Sequence, residues 1–526
     1  MFGESNSVGN LKNSKDIIGF NDSKDFNDSI IKAVIDIGNS KIKGIIGEMI
    51  NGYVSVLKYV EVDTVGIVKS EIENDSELSN AIARVLDRLK VPNKTIDAIT
   101  IGLGGNAFKT IRGNVVSVYE EKKINEDDIE EFYKKAENKL LKNGEKAIHR
   151  EMYNIKINEN KQRVANLLGH TVSQIESDVY MVYIENLVLK KYENIIKNIN
   201  SKLKIEKIMA NGYASAISSL RNDEKNAGVI FLDIGDGVTD IAIFKNKKFI
   251  FFDNIKVGAL YYINEISKLP SYVNYIEKEN KYIKTTINIK NAVEIFEKYI
   301  KKEILDDKIF VIEGITYKGK YIKALVDYRS DVIAGLVKTI LGKSGLKPEN
   351  MRSGIVITGG ALVVDGLAEI ISEKTGYKVR KALPIEINGI EKVDERMGAI
   401  VGLFGEIMQY EYLKMKKLKI EEIENTIKNE KTPENVAVQN DIKNENDEKT
   451  QNETNTIVPP LPPEIPSGTT TITEPNDDSN IDDRFREVIG SKEAELEETE
   501  NAPEGKPKAK SKLWTNIKEW FQNFTD

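Results

Sequence analysis

Residues 228–258 read GVIFLDIGDGVTDIAIFKNKKFIFFDNIKVG, which are three apolar runs separated by a glycine turn and a short polar turn. An earlier stretch, residues 32–62, reads KAVIDIGNSKIKGIIGEMINGYVSVLKYVEV and has the same order of runs and turns. Runs rich in β-branched and aromatic residues, bounded by glycine and asparagine, are typical of strands joined by tight turns. Both stretches therefore predict a three-stranded β-meander, and their weak likeness indicates an internal duplication.

The first turn of each meander carries a pattern suited to phosphate and metal. Asp36 and Asp233 each end an apolar run just before a glycine turn. Glycine lets backbone N–H groups approach a phosphate, and clustered N–H groups bind anions. Nucleotide phosphates are usually bound together with Mg²⁺, whose preferred ligands are carboxylates and the waters that it retains. Either turn alone is equally explained as a simple hairpin turn. The pair predicts a phosphate site.

A third element is TGGA at residues 358–361, which follows an apolar run and offers bare backbone to a purine ring. The predicted ligands are a purine nucleotide and Mg²⁺, with Asp36 and Asp233 holding the ion through waters. Asp240 is a candidate for orienting an attacking water. The residues predicted to contact the nucleotide in the three elements are Asp36, Gly38, Asn39, Ser40, Lys41, Asp233, Gly235, Gly237, Thr239, Gly359, Gly360 and Ala361.

The stretch between the two meanders has a different pattern of predicted strands and helices. NVVSVYEEKKI at residues 114–124 predicts a strand, and residues 125–142 predict a helix. Two more strands are predicted in AIHREMYNIKIN and SDVYMVYIEN. The order strand, helix, strand, strand predicts a compact α+β unit inserted into the body of the protein.

Composition excludes several classes of function. The 526 residues include no cysteine, so a disulfide framework, a thiolate metal site and a cysteine nucleophile are excluded. The net charge of −7 gives no basic footprint, so nucleic acid is not expected as a partner. We expect a soluble cytosolic chain, because the N-terminus lacks a signal pattern and no apolar run reaches the roughly 18 residues of a spanning helix.

Both ends of the chain differ from its middle. Residues 1–31 and 413–510 are rich in charged and polar residues or proline, and we expect them to be disordered. Residues 511–524 instead form a helical pattern with one apolar face, preceded by lysines. This predicts reversible binding to an anionic membrane surface, with docking on a protein groove as the alternative. The predicted membrane-facing residues are Leu513, Trp514, Ile517, Trp520, Phe521 and Phe524.

These motifs resemble those of the actin/Hsp70/sugar-kinase superfamily. The two turns are similar to its phosphate loops, and GIVITGGA is similar to its adenosine motif. The type and place of the insertion resemble those of the FtsA and PilM families. Longer stretches, at residues 177–220, 323–340 and 353–368, are similar to FtsA. The resemblance covers residues 33–411 and resumes at the C-terminal tip.

The resemblance implies an α/β fold of the actin-like, ribonuclease H-like type, with two lobes and an inserted strand-helix-strand-strand subdomain. A disordered linker and a C-terminal amphipathic helix would follow. The predicted domains are an N-terminal extension (1–31), lobe 1 (32–105 and 187–220, closed by a helix at 396–411), the insertion (106–186), lobe 2 (221–264 and 316–395), a small peripheral subdomain (265–315), the linker (413–510) and the terminal helix (511–524).

The resemblance also implies a function in cell division. Such a protein would bind ATP, tether FtsZ filaments to the inner face of the cytoplasmic membrane at the division septum, and self-associate into actin-like filaments. It would engage later division proteins through the insertion. Two alternatives remain open: a PilM-like adaptor of pilus assembly, and a small-molecule kinase of the sugar-kinase type.

The sequence departs from the FtsA pattern in two places. The second turn has Asp236 where relatives have glycine and Val238 where they have threonine. A glutamate and a lysine often lie near the adenine in the family, and here Val293 and Phe296 occupy those positions. Glu294 and Lys298 would substitute for them after a shift in register. An extra carboxylate repels phosphate unless a metal intervenes, so we expect ATP binding with weak or no hydrolysis.

Overall fold

The structure is a computed structural model that describes residues 29–268, 270–276, 281–304, 309–312, 315–346 and 348–430. Both lobes and the insertion belong to a unit that ends at Glu422. Of the second unit, Ile423–Asp526, only the last residues of a long helix are described. Most of the predicted N-terminal extension and linker, and all of the terminal helix at 511–524, lie outside the described residues.

The first lobe opens with the predicted meander. Its antiparallel strands are β1 (Ile30–Ile37), β2 (Lys41–Ile50) and β3 (Tyr53–Asp63). There follow a small ribbon of β4 (Ile67–Val68) and β5 (Glu71–Ile72), the helix α1 (Asp75–Leu89) and the strand β6 (Ala98–Leu103). Asn74 caps α1 by accepting from the backbone N–H groups of Ser76 and Glu77.

The insertion has the predicted order of elements with one very short extra strand. Its elements are β7 (Lys109–Lys123), α2 (Glu126–Leu140), β8 (Glu145–Ile157), β9 (Gln162–Arg163) and β10 (Thr171–Glu185). The antiparallel sheet has the order β7-β10-β8-β9. The helix buries Phe132 and Ala136 in a core of the insertion's own, and the Asn125–Asp128 capping box fixes where it begins.

The chain then returns to lobe 1 through α3 (Asn186–Ile199), β11 (Lys204–Ala210) and α4 (Asn211–Ser219), and α5 (Asn222–Ala227) leads into the second lobe. Strand β11 completes a five-stranded sheet of order β11-β6-β1-β2-β3, in which β1, β6 and β11 are parallel. Alternate residues of β1 enter two different cores, Ile35 on the α1 face and Val34 on the opposite face. Both faces are therefore covered, which explains why β1 is an almost continuous apolar run.

The second lobe begins with the second meander, β12 (Val229–Ile234), β13 (Thr239–Lys245) and β14 (Lys248–Ile255), followed by α6 (Leu260–Lys268). A small antiparallel sheet of order β16-β15-β18-β17 comes next. The elements of this region are β15 (Pro270–Ile276), β16 (Lys281–Thr286), α7 (Ile289–Ile300), β17 (Ile309–Ile312) and β18 (Ile315–Lys318).

The chain closes both lobes with its last elements. These are α8 (Gly319–Lys343), β19 (Ile355–Thr358), α9 (Leu367–Thr375), β20 (Val379–Lys381) and α10 (Gly398–Glu430). Helix α10 returns to lobe 1, where Leu403, Phe404 and Ile407 fill the core on the face of the sheet opposite α1. No helix in the described part of the chain has the length and apolar character needed to cross a bilayer.

The two large sheets have the same topology. The second lobe's sheet has the order β14-β13-β12-β19-β20, with an antiparallel meander followed by two parallel strands. This is the order and direction of β3-β2-β1-β6-β11 in the first lobe. The internal duplication inferred from the sequence thus extends to whole sheets. The predicted two-lobe, actin-like α/β fold with an inserted α+β subdomain is confirmed.

Candidate nucleotide-binding site

The first turn places a buried carboxylate between two partners. Asp36 lies opposite Lys43 in the β1–β2 register, and its Oδ2 is 3.3 Å from Lys43 Nζ. Its Oδ1 accepts a hydrogen bond of 2.7 Å from Asn211 Nδ2 at the start of α4. The Gly38 N–H donates to the Lys41 carbonyl at 3.2 Å and closes the turn. A carboxylate with only 2% exposure is tolerated here because both oxygens have partners.

The second turn repeats this arrangement in lobe 2. Asp233 Oδ2 accepts a hydrogen bond of 2.5 Å from Ser215 Oγ, and the Gly235 N–H donates to the Val238 carbonyl at 3.0 Å. The pKa of Asp233 is raised to about 6, chiefly by burial and also by the carboxylates of Asp36 and Asp236, while the Ser215 hydrogen bond opposes the rise. The site thus concentrates negative charge that a cation would stabilise.

The TGGA element lies against the second turn. Thr358 ends β19 opposite Asp233 in the parallel register with β12. Gly359 has φ +98°, and a Cβ atom there would lie 2.5 Å from both Asp233 Oδ1 and the Ile234 carbonyl oxygen. The position therefore requires glycine both for its backbone conformation and for the close approach. A Cβ at Gly360 would lie 3.3 Å from Asp236 Oδ1.

The turns of the two lobes face each other. A Cβ atom at Gly237 would lie 2.6 Å from Asn39 Cγ, so the tip of the second turn is in contact with the first. Asn39 is itself held by Ser70, whose backbone N–H donates to its Oδ1 at 2.7 Å. The three elements singled out in the sequence are therefore neighbours in space.

Magnesium nucleotide fits this donor set. Gly237 of the second turn lies against Asn39 of the first, and the carboxylates of Asp36 and Asp233, one from each lobe, are close enough for Asp36 to raise the pKa of Asp233. Among the residues described, no group of three or more His, Cys, Asp or Glu side chains could hold a metal ion. A cation here would be held by Asp36 and Asp233 through bound waters, together with phosphate oxygens, which is a usual mode for Mg²⁺.

Asp240 has a different environment from the one expected for a water-positioning base. Its carboxylate is buried and accepts hydrogen bonds of 3.1 Å from the backbone N–H groups of Gly105 and Gly212. Burial raises its pKa to about 8, and repulsion from Asp233 acts in the same direction. Its part in orienting water stays a prediction. The observed bonds connect β13 of lobe 2 to two segments of lobe 1.

Several predicted residues have protein partners of their own. Lys41 Nζ lies 2.6 Å from Asp63 Oδ1, a hydrogen bond that raises the pKa of Lys41. Thr239 Oγ1 donates to the Val257 carbonyl at 2.7 Å. The Ser40 carbonyl accepts from the Thr64 N–H at 2.9 Å. These contacts shape the turns, and direct contact of the three residues with a ligand stays a prediction.

The helix α7 explains one departure from the family pattern. Phe296 is buried and stacks on Tyr262, with ring centroids 5.5 Å apart and planes inclined by 12°. It is a core residue of the small subdomain. Lys298 Nζ lies 3.6 Å from Glu294 Oε1, one helical turn away, and 3.8 Å from Glu303 Oε2. Their predicted contact with adenine therefore stays a prediction.

Sequence reasoning missed three residues that hold the carboxylates. Lys43 could have been identified from the sequence, because hairpin pairing of Ile37 with Ile42 brings Lys43 opposite Asp36. Asn211 and Ser215 had no motif to mark them, but they lie four residues apart and therefore on one face of α4. One turn of this helix thus holds Asp36 of lobe 1 and Asp233 of lobe 2 together.

No family model matches the chain. Among curated proteins, cell division protein FtsA of Pseudomonas aeruginosa is 25% identical over 363 residues, covering 68% of this chain and 84% of that protein. FtsA of Borreliella burgdorferi is 23% identical over 395 residues, covering 73% and 92%. FtsA of Escherichia coli K12 is 21% identical over 374 residues, covering 68% and 84%.

Two solved structures are similar at lower sequence identity. The PilM-PilN type IV pilus biogenesis complex gives a TM-score of 0.46 at 12% identity, covering 71% of this chain and 98% of that one. ADP-bound MreB5 of Spiroplasma citri gives 0.40 at 14% identity, covering 74% and 98%. In sequence, the chain is thus similar to FtsA cell-division proteins over about seven-tenths of its length.

Proposed function

We propose that this chain is an ATP-binding, actin-like cell-division protein that links FtsZ filaments to the inner face of the cytoplasmic membrane. The observation that carries the nucleotide part is the meeting of three glycine-bearing elements around Asp36 and Asp233, one carboxylate from each lobe. The cell-division part rests on the FtsA relatives, and the filament partner rests on the family resemblance.

Each element would serve one part of the ligand. The N–H groups of the two turns would receive phosphate oxygens, and the bare backbone at Gly359 and Gly360 would take the adenosine. Lys43, beside Asp36, would add a positive charge next to the phosphates. A bound Mg²⁺ would supply the countercharge that Asp36, Asp233, Asp236 and the phosphates require. Nucleotide binding should therefore depend strongly on a divalent cation.

The environment of Asp240 favours binding over turnover. With a pKa of about 8, this group holds its proton through most of the neutral range, and a protonated carboxyl does not accept a proton from water. Both of its oxygens already accept backbone hydrogen bonds. We therefore expect weak hydrolysis or none.

The membrane part rests on the sequence pattern of residues 511–524, which lie outside the described residues. Two tryptophans and four other apolar residues form one stripe, and lysines precede it. Such a short stripe binds reversibly, so several copies arranged along a filament would be needed for firm attachment.

Sedimentation with liposomes tests the linking function. The full chain should sediment with vesicles that contain anionic lipid and should bring FtsZ filaments with it. A chain that lacks residues 511–526 should stay in the supernatant with FtsZ, while still binding ATP. A Thr515→Ala control, which changes the polar face opposite the apolar stripe, should sediment with the vesicles as the full chain does. Sedimentation of the truncated chain with vesicles would refute the anchor, and failure of the full chain to carry FtsZ would refute the link.

A further inference from the structure

The outer strand of the lobe 2 sheet is in contact with side chains of the insertion. Strand β14 is an edge strand, so the backbone groups on its outer side have no partner in its own sheet. The Tyr180 hydroxyl of β10 accepts a hydrogen bond of 2.6 Å from the Phe252 N–H and donates to the Phe252 carbonyl at 3.4 Å. Both residues are 2% exposed.

An aromatic cluster surrounds this contact. Phe249 of β14 meets the ring of Tyr180 edge-on at 5.9 Å and that of His149 edge-on at 4.8 Å, and both partners belong to the insertion. Tyr213 of α4, in lobe 1, lies 4.9 Å from the same ring. Two lobes and the insertion therefore meet at one buried phenylalanine.

An ion pair closes one side of the contact. Lys248 Nζ at the start of β14 lies 2.8 Å from Glu151 Oε1 of β8, and the glutamate side chain is only 14% exposed. A buried carboxylate depends on its cation, so separating the two groups is unfavourable. We call Tyr180, Phe249, Phe252, Glu151 and Lys248 the clasp.

The clasp is connected to the nucleotide turns through the backbone pairing of β12, β13 and β14. Phe252 pairs with Ala242 of β13, and two residues earlier on β13 Asp240 pairs with Asp233 of β12. Asp240 in turn accepts a hydrogen bond from the backbone N–H of Gly105, the residue that lies immediately before the insertion. A displacement of the second phosphate turn therefore reaches the insertion along two routes, through Phe252 and through Gly105.

We propose that the clasp couples nucleotide binding to the attachment of the inserted subdomain, so that Mg²⁺-ATP holds the insertion more firmly on lobe 2. This inference rests on the proposed function. A ligand bound between the turns of both lobes restrains the β12–β13 hairpin, and β14 moves with that hairpin because it is hydrogen-bonded to β13. The insertion would then present its outer surface in a nucleotide-dependent way. Couplings of this kind are typically at least about fivefold.

Hydrogen exchange measured by mass spectrometry on the full chain tests the coupling. In the wild-type protein, Mg²⁺-ATP should slow exchange at least about fivefold in β8, β10 and β14, in addition to the two glycine turns. Tyr180→Phe removes one hydroxyl and should speed exchange of these strands about tenfold without nucleotide. It should also weaken their response to Mg²⁺-ATP while the turns stay protected.

A matched control and a second variant sharpen the test. Tyr192→Phe removes a hydroxyl from an equally buried tyrosine of α3 in lobe 1 and should leave the exchange of β8, β10 and β14 unchanged. Glu151→Gln removes the clasp's charge at constant size and should weaken the nucleotide response in the same direction as Tyr180→Phe.

Three outcomes would overturn the coupling. One is a Tyr180→Phe protein whose insertion responds to Mg²⁺-ATP as in the wild type, and another is the same loss of response in Tyr192→Phe. The third is a wild-type protein whose glycine turns gain no protection from Mg²⁺-ATP, which would refute the proposed nucleotide site as well. The first two leave the nucleotide site intact, so the two failures are distinguishable.

Discussion

Replacing the buried carboxylate of lobe 2 should make the nucleotide-free protein more stable. The pKa of Asp233 rises from 3.8 to about 6 on folding, so the folded state holds its proton more tightly than the unfolded state. The stability associated with this proton is present below about pH 4 and is lost as the pH rises through 6. The rise corresponds to about 3 kcal/mol of unfolding free energy at neutral pH.

Asp233→Asn removes this penalty and keeps a neutral hydrogen-bond partner for Ser215. The hydrogen bond from Ser215 becomes weaker when its acceptor loses its charge, which offsets about 1 kcal/mol of this stabilisation. The unfolding free energy of the variant should therefore rise by about 2 kcal/mol at pH 7.5. For a unit of roughly 400 residues, 1 kcal/mol moves the melting temperature by about 1 °C, so a gain of about 2 °C is expected. At pH 5.0 the gain should shrink, because the wild-type carboxyl is then protonated.

Differential scanning fluorimetry in EDTA, at both pH values, measures this effect. Asp128→Asn is the control of opposite sign, because the Lys122 hydrogen bond and the Asn125 N–H hold the pKa of Asp128 below its usual value, and its replacement should lower the melting temperature. An Asp233→Asn protein that is less stable than the wild type at pH 7.5, or whose gain in melting temperature is the same at pH 5.0 as at pH 7.5, would refute the electrostatic reasoning.

Three other substitutions separate the site from its surroundings. Gly359→Ala should abolish ATP binding in calorimetry and lower stability by about 1–3 kcal/mol, whereas Gly376→Ala, with φ +79° and no atom within 4 Å of its Cβ, should keep binding. Lys43→Met should weaken ATP binding at least about tenfold, and Lys90→Met, in an exposed pair with Asp87, should change it little; equal effects would contradict the role given to Lys43. Phe296→Ala should lower the unfolding free energy by about 3–5 kcal/mol and leave the ATP affinity of the folded protein unchanged, whereas a weaker affinity would place it at the adenine.

The fold was predictable because its signals are local. Alternating apolar residues and glycine turns mark each meander, and their repetition at residues 32–62 and 228–258 indicates two related sheets. The parallel strands β6, β11, β19 and β20 join these sheets over long separations that a single sequence does not reveal. The Lys- and Asn-rich segment of the small subdomain lacks a clear period, so its strands were not predicted.

The candidate site was predictable only in part, for the same reason. Glycines and aspartates of the turns are visible in the sequence because each turn is a few residues long. The residues that hold the carboxylates come from far away: Asn211 is 175 residues from Asp36. Asp240 looked like a catalytic group beside its turn, but its partner Gly105 is 135 residues away. Only the folded chain shows that it joins the lobes.

Calorimetric titration of ATP into the full chain, with Mg²⁺ and then with EDTA, tests the central claim most directly. We predict saturable binding with Mg²⁺ that is lost in EDTA and lost in Asp233→Ala. A folded wild-type protein that releases no binding heat with Mg²⁺, or that binds equally well in EDTA, would contradict a cation-dependent nucleotide site between the two lobes.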